Sequence, residues 1–144
     1  ILGPDGWLGF QEYFVRDKAQ TEVRDVAYVG AATSGPAPGV LEAIREARAV
    51  IVCPSNPITS IGPILAVPGL AAALERTRAR VIAVSPIIGD APVSGPAGRL
   101  MASRGLPVSA AGVARAYLPW LDAALGAERS CDEDTDPDAQ QRNQ

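Results

Sequence analysis

The 144-residue sequence contains no histidine. Ser-His-Asp and Cys-His catalysis are therefore impossible within it, and so is histidine-ligated zinc. Cysteine is scarce as well: Cys53 and Cys131 are too few for a disulfide framework. Cys53 ends an apolar run and is expected to be a buried thiol. No apolar stretch approaches the roughly 20 residues that cross a bilayer. No charged-then-apolar leader opens the chain, so the expectation is a cytoplasmic protein without a membrane partner. Neither a P-loop nor a GxGxxG turn occurs. A clustered basic face is also lacking. The net charge is -3, but the segment from Glu128 onward holds six acidic and two basic residues, which leaves the body near neutrality. Nonspecific nucleic-acid binding, which needs concentrated positive charge, is not expected.

What is present is an ordinary globular composition, 47% hydrophobic and 20% charged. Its length suits one domain with a real core. "AVIVC" (Ala49 to Cys53) and "RVIAVS" (Arg80 to Ser85) are continuous Val/Ile-rich runs, as in parallel strands covered on both faces. "TEVRDVAYVG" (Thr21 to Gly30) sets Val23, Val26 and Val29 among polar residues and reads as a further, less buried strand. Between the strands, "PGVLEAIREAR" (Pro38 to Arg48) has helical spacing with proline near its start. "GPILAVPGLAAALERTR" (Gly62 to Arg78) reads as a second crossover, broken or kinked at Pro68. The expected fold class is α/β: a parallel, Rossmann-like sheet with flanking helices.

After Ser85 the pattern turns helical. "SGPAGRLMASRG" (Ser94 to Gly105) predicts a short helix closed by Gly105. "SAAGVARAYLPWLDAAL" (Ser109 to Leu125) predicts another, N-capped by Ser109 and disturbed at Pro119. Residues 128–144 are nearly devoid of apolar side chains and are expected to form an acidic disordered tail behind a domain spanning 1–127. The tail's Asp132, Asp134 and Asp136 begin like a calcium loop. Pro137 stands where such a loop needs glycine, and no glutamate closes it, so no metal is expected there.

Ligands of open parallel sheets bind beyond the carboxyl ends of the strands. Two loops occupy that edge, "CPSNPITSIGP" after the second apolar run and "SPIIGDAPVSGP" (Ser85 to Pro96) after the third. Both are rich in Ser, Pro and Gly, and both carry a Gly-Pro pair ahead of a helix. Proline lowers the entropy lost on binding, and glycine admits a ligand to the backbone. Ser60 is the expected N-cap of a helix beginning near Pro63, whose free N–H groups would suit a phosphate. The same residues also dominate ordinary turns. The loops alone therefore fit either a binding site or plain connections. In "FQEYFVRDK" (Phe10 to Lys18), Phe10, Tyr13 and Phe14 fit a helix or an extended segment equally. Such clusters are more often core than stacking platform. Glu12 fits either a buried carboxylate or an exposed one.

Taken together, "FQEYFV" (Phe10 to Val15), "PAPGVLEAI" (Pro36 to Ile44), "PSNPITSIGPILAVPG" (Pro54 to Gly69), "AVSPIIG" (Ala83 to Gly89) and "GPAGRLM" (Gly95 to Met101) resemble the 2-phospho-L-lactate transferase family of coenzyme F420 biosynthesis. The resemblance covers roughly Gly6 to Leu121, in order and spacing. It implies a Mg2+-dependent transferase. The deazaflavin Fo would be the acceptor, and a guanosine diphosphate derivative of lactate or enolpyruvate the donor, with GMP released. Substrate contacts would come from Ser55, Asn56, Pro57, Ser60, Gly62, Pro63, Ser85 and Gly89. No residue is assigned as catalytic or as a metal ligand, and a homodimer is compatible with the family. The sequence departs from the family at Asp90 and Ser94, where glycine and lysine are usual. The family's glycine-rich first turn has no counterpart after Ile1. Its deazaflavin-contacting aspartate and arginine have none either. The expectation is a middle-to-C-terminal portion of a transferase, with the N-terminal half of the sheet missing. The alternatives are a non-catalytic relative that binds a nucleotide sugar, or an inactive remnant without ligand.

Overall fold

The computed structural model describes residues 1–118 and 120–126. It opens with a hairpin of two-residue strands, β1 (Leu2–Gly3) and β2 (Gly6–Trp7). A π-helical turn, Glu12–Arg16, follows. The segment Thr21–Gly30 forms no strand and joins the hairpin only through an isolated bridge between Leu2 and Asp25. The reason lies in its spacing. Side chains alternate faces along a strand, so valines three residues apart cannot share one face. Val26 is buried, whereas Val29 is almost wholly exposed.

Helix α1 (Val40–Glu46) leads into β3 (Ala49–Val52). A π-helical turn over Pro57–Ile61 runs directly into α2 (Gly62–Leu65), and α3 (Leu70–Arg76) completes the crossover to β4 (Arg80–Val84). The break between α2 and α3 falls at Pro68, as the missing N–H of proline requires. No single helix among the described residues is long and apolar enough to cross a membrane. Pro57–Leu65 and Leu70–Arg76 reach that length only together, across an 84° bend.

Beyond β4, the hairpin β5 (Ile87–Ile88) and β6 (Ala91–Pro92) precedes α4 (Ala97–Ser103). Gly105, at φ 67, closes α4 as its sequence position indicated. Ser109 caps α5 (Ala110–Ala116), its Oγ accepting from the Gly112 N–H at 3.1 Å. The chain then returns as β7 (Ala123–Leu125), where helix was expected. Helix propensity in "DAAL" yields to pairing with β4. The Val81 N–H donates to Asp122 Oδ2 at 2.7 Å, and the Ser85 N–H donates to the Leu125 carbonyl at 2.8 Å.

The sheet is parallel, in the order β3-β4-β7, with Val50 opposite Val81 and Ile82 opposite Ala123. The fold is thus α/β, with helices flanking a parallel sheet. One expectation fails locally: β3 is an edge strand, not one covered on both faces, and its Ile51 is 64% exposed. Cys53, at the end of β3, is exposed as well, not buried. The largest fully buried side chains are Tyr13, Val81, Ile87, Leu100, Met101, Val113 and Tyr117. They fasten the aromatic turn, β4, α4 and α5 into one core. The expected tail, with Cys131 and its aspartates, lies outside the described residues.

Candidate functional site

The loops that leave β3 and β4 face each other across a cleft of about 660 Å3. Ser55, Asn56, Thr59 and Ser60 line one wall, and Ser85, Pro86, Ser94 and Gly95 line the other. Four residues read from the sequence therefore share one cavity: Ser55, Asn56, Ser60 and Ser85. The other four lie outside its lining. Pro57 is buried beneath the loop, and Pro63 lines a separate hollow with Trp7, Leu8 and Tyr28. Gly89 sits at φ 61 in the exposed β5–β6 turn. Gly62 lies under the ring of Tyr28, where a Cβ would come within 2.1 Å of the phenolic oxygen. That close approach lets Tyr28 donate to the Ile58 carbonyl at 2.5 Å and pin the loop from behind.

The corner itself departs from expectation in one important respect. Its helical turn begins at Pro57, not Pro63, and its N-cap is Asn56, not Ser60. Asn56 Oδ1 accepts from the Ile58 N–H at 2.9 Å and the Thr59 N–H at 3.2 Å. The Asn56 carbonyl accepts from the N–H groups of Ser60 and Ile61, each at 3.0 Å, and Pro57 has no N–H to offer. The donors that would have greeted a phosphate are thus already occupied by Asn56. What remains is side-chain capacity. Among the described residues, the Asn56 amide NH2 and the hydroxyls of Ser55 and Ser60 form no hydrogen bond. Ser85, by contrast, is committed: its Oγ donates to the Ile87 carbonyl and accepts from the Ile87 N–H, both at 3.0 Å. Ser85 shapes its lip and has little left for a ligand.

A further element of the site was misjudged from sequence. Of the aromatic trio, only Tyr13 joins the core, and burial raises its hydroxyl pKa. Phe10 and Phe14 are 43% and 45% exposed and form a stacked pair, centroids 5.6 Å apart, along the mouth of the cleft. The helical option holds for this turn, since i and i+4 on one face bring the two rings together. Glu12 is the exposed alternative. Its carboxylate accepts from the Gly9 N–H at 2.9 Å and pairs with Arg16 at 3.0 Å, so it braces the turn.

Among the described residues, no carboxylate lines the cleft. Among the described residues no three His, Cys, Asp or Glu side chains gather as a metal site would require. These residues do not fit a protein-held Mg2+ ion.

Residues 3–144 match the profile of the family described as 2-phospho-L-lactate transferase CofD. The chain belongs to the CofD family. It is 44% identical, over 125 residues, to the 2-phospho-L-lactate transferase of Methanosarcina mazei, covering 87% of this chain and 41% of that one. It is 49% identical, over 110 residues, to the phosphoenolpyruvate transferase of Streptomyces griseus, covering 76% and 35%. The chain thus spans about two fifths or less of the length of these curated relatives. The crystal structure of a UPF0052 family member from Bacillus halodurans superposes with a TM-score of 0.53 at 20% identity, covering 87% of this chain and 38% of that one. That likeness concerns the fold.

Proposed function

We propose that this chain contributes the cleft of an F420-pathway transferase. Such an enzyme moves a phospholactyl or phosphoenolpyruvyl group from a guanosine diphosphate donor to the deazaflavin Fo. The observation that carries this reading is the pairing, in a CofD-family chain, of uncommitted polar groups on one wall with an exposed aromatic pair at the mouth. In the reaction, the terminal ribityl hydroxyl of Fo attacks the phosphorus bearing the three-carbon acid. A new P–O bond forms, the bond to the GMP phosphate breaks, and a phosphodiester remains. No carboxylate lines the cleft among the described residues, and in this reading the hydroxyl proton passes to the departing phosphate or to water. Catalysis here rests on positioning and charge dispersal. The Ser55 and Ser60 hydroxyls and the Asn56 amide would donate to phosphate oxygens. Phe10 and Phe14 would support a planar ring. Mg2+ belongs to this reading only as an ion carried in on the diphosphate.

Calorimetric titration of GDP into the 144-residue chain tests the assignment. Ser55→Ala and Ser60→Ala should each weaken binding by about 10-fold or more, the worth of one hydrogen bond to a charged group. Thermal melts should not move, because neither hydroxyl bonds anything among the described residues. Unchanged affinity in both variants, or no GDP binding by the parent chain, would overturn the proposal.

A further inference from the structure

An anionic substrate needs positive charge, and among the described residues the cleft lining has none. A second cavity, of about 640 Å3, adjoins it and shares Phe14, Gly95 and Pro96 as a common wall. This cavity is lined in addition by Lys18, Gln20 and Arg99, and among the described residues no carboxylate lines it. Among the described residues, Arg99 donates to neutral acceptors only, the Ala19 carbonyl at 2.8 Å and Gln20 Oε1 at 3.0 Å. The ion pairs of the described residues use Arg16, Arg24, Arg45, Arg80 and Arg104, so neither Lys18 nor Arg99 is neutralised by a carboxylate among them.

The backbone beneath these cations is unusual. Lys18 and Ala19, at φ 50 and 54, are the only non-glycine residues in the left-handed region among those described. Surrounding bonds hold them there. The Ala19 N–H donates to the Tyr13 carbonyl at 2.8 Å, and the Ala19 carbonyl accepts from both Arg99 and the Tyr13 hydroxyl. Consecutive left-handed residues without glycine persist only where the structure over-determines them, and such strain concentrates at ligand sites. Here it projects Lys18 from a turn locked to α4 through Arg99.

The geometry points to a phosphate-binding subsite formed by Lys18 and Arg99, taking an oxyanion of a substrate whose remainder crosses Phe14 into the cleft. The subsite deepens the cleft reading and rests on it for the identity of that remainder. Inorganic pyrophosphate is the probe, titrated into the 144-residue chain by calorimetry at low and moderate salt. The parent chain should bind it, more weakly as salt rises. Lys18→Gln should lose about 10-fold or more with an unchanged melt. Lys18→Gly should lose as much yet melt higher, because glycine relieves the left-handed strain while removing the charge. No pyrophosphate binding by the parent, or equal binding by Lys18→Gln, overturns the subsite. If Ser60→Ala loses GDP while Lys18→Gln keeps pyrophosphate, the subsite falls and the cleft stands. If Lys18→Gln loses pyrophosphate while Ser55→Ala and Ser60→Ala both keep GDP, the subsite stands and the cleft assignment falls.

Discussion

Asn56 carries two roles in one side chain, and its two ends can be separated by substitution. Its Oδ1 caps the turn through Ile58 and Thr59, while its NH2 forms no hydrogen bond among the described residues and the residue lines the cleft. Asn56→Ala removes both. Loss of an N-cap costs about 1 kcal/mol, within a usual range of roughly 0.5–2. For a domain of this size that lowers Tm by roughly 3–6 °C. Asn56→Asp keeps the capping oxygen, since aspartate caps as well as asparagine, so its melt should stay within about a degree of the parent. It also exchanges an NH2 donor for a negative charge where the proposed ligand is anionic. GDP affinity should then fall by more than the 10-fold expected of a neutral deletion. The assays are thermal melts with calorimetry on the parent and both variants. An Asn56→Asp chain that melts and binds GDP like the parent would refute the reasoning, leaving Asn56 as scaffold alone. An Asn56→Asp chain that melts as low as Asn56→Ala would show that the cap is not what holds the turn.

Two further outcomes follow from the packing. Tyr117 is 1% exposed, and burial pushes its pKa up to about 12 from the ordinary tyrosine value of 10.0. A raised folded-state value means stability fully present below pH 10 and progressively lost between about pH 10 and 12, as the unfolded chain releases its proton first; Tyr117→Phe should flatten that limb in alkaline melts, and an unchanged limb would count against it. Gly62→Ala places a Cβ 2.1 Å from Tyr28 Oη and 2.8 Å from Cζ; overpacking of this kind costs about 1–3 kcal/mol, and Gly62→Ala with Tyr28→Phe should recover only part of it, a full recovery showing that the ring carbon is no obstacle.

The sheet was legible where its strands are written locally. Ala49–Val52 and Val81–Val84 are unbroken apolar runs, and both lie in strands in parallel register. The helix limits at Ser109 and Gly105, and the break at Pro68, were legible because each depends on one residue's own geometry. Strand β7 was not, because Ala123–Leu125 carries nothing that favours extension. Its pairing to β4, some 40 residues earlier, decides its conformation, and single-sequence periodicity does not register a partner at that distance. Thr21–Gly30 failed for the opposite reason: three valines suggested a strand, although their spacing puts them on alternating faces.

The cleft divides along the same line. That the two loops meet follows from the edge of a parallel sheet where each must emerge, so Ser55, Asn56, Ser60 and Ser85 come together without further information. Their separate duties could not be read, because a serine that binds its own turn, as Ser85 does, is written like one whose hydroxyl bonds nothing among the described residues, as Ser60's. The same ambiguity conceals where the charge lies. A proline-rich corner ahead of a helix suggests a dipole site, yet Asn56 uses up the first-turn N–H groups internally. The corner therefore supplies shape and neutral donors, and an anion bound there would need cations from another part of the chain. Lys18 and Arg99 lie 81 positions apart in sequence and line one cavity only because Tyr13 and Arg99 fix the Lys18–Ala19 turn against α4. A left-handed lysine is costly unless something holds it. What holds it here is the set of bonds from Tyr13 and Arg99 to Ala19, which ties the folding of the aromatic turn to the placement of positive charge beside the loops.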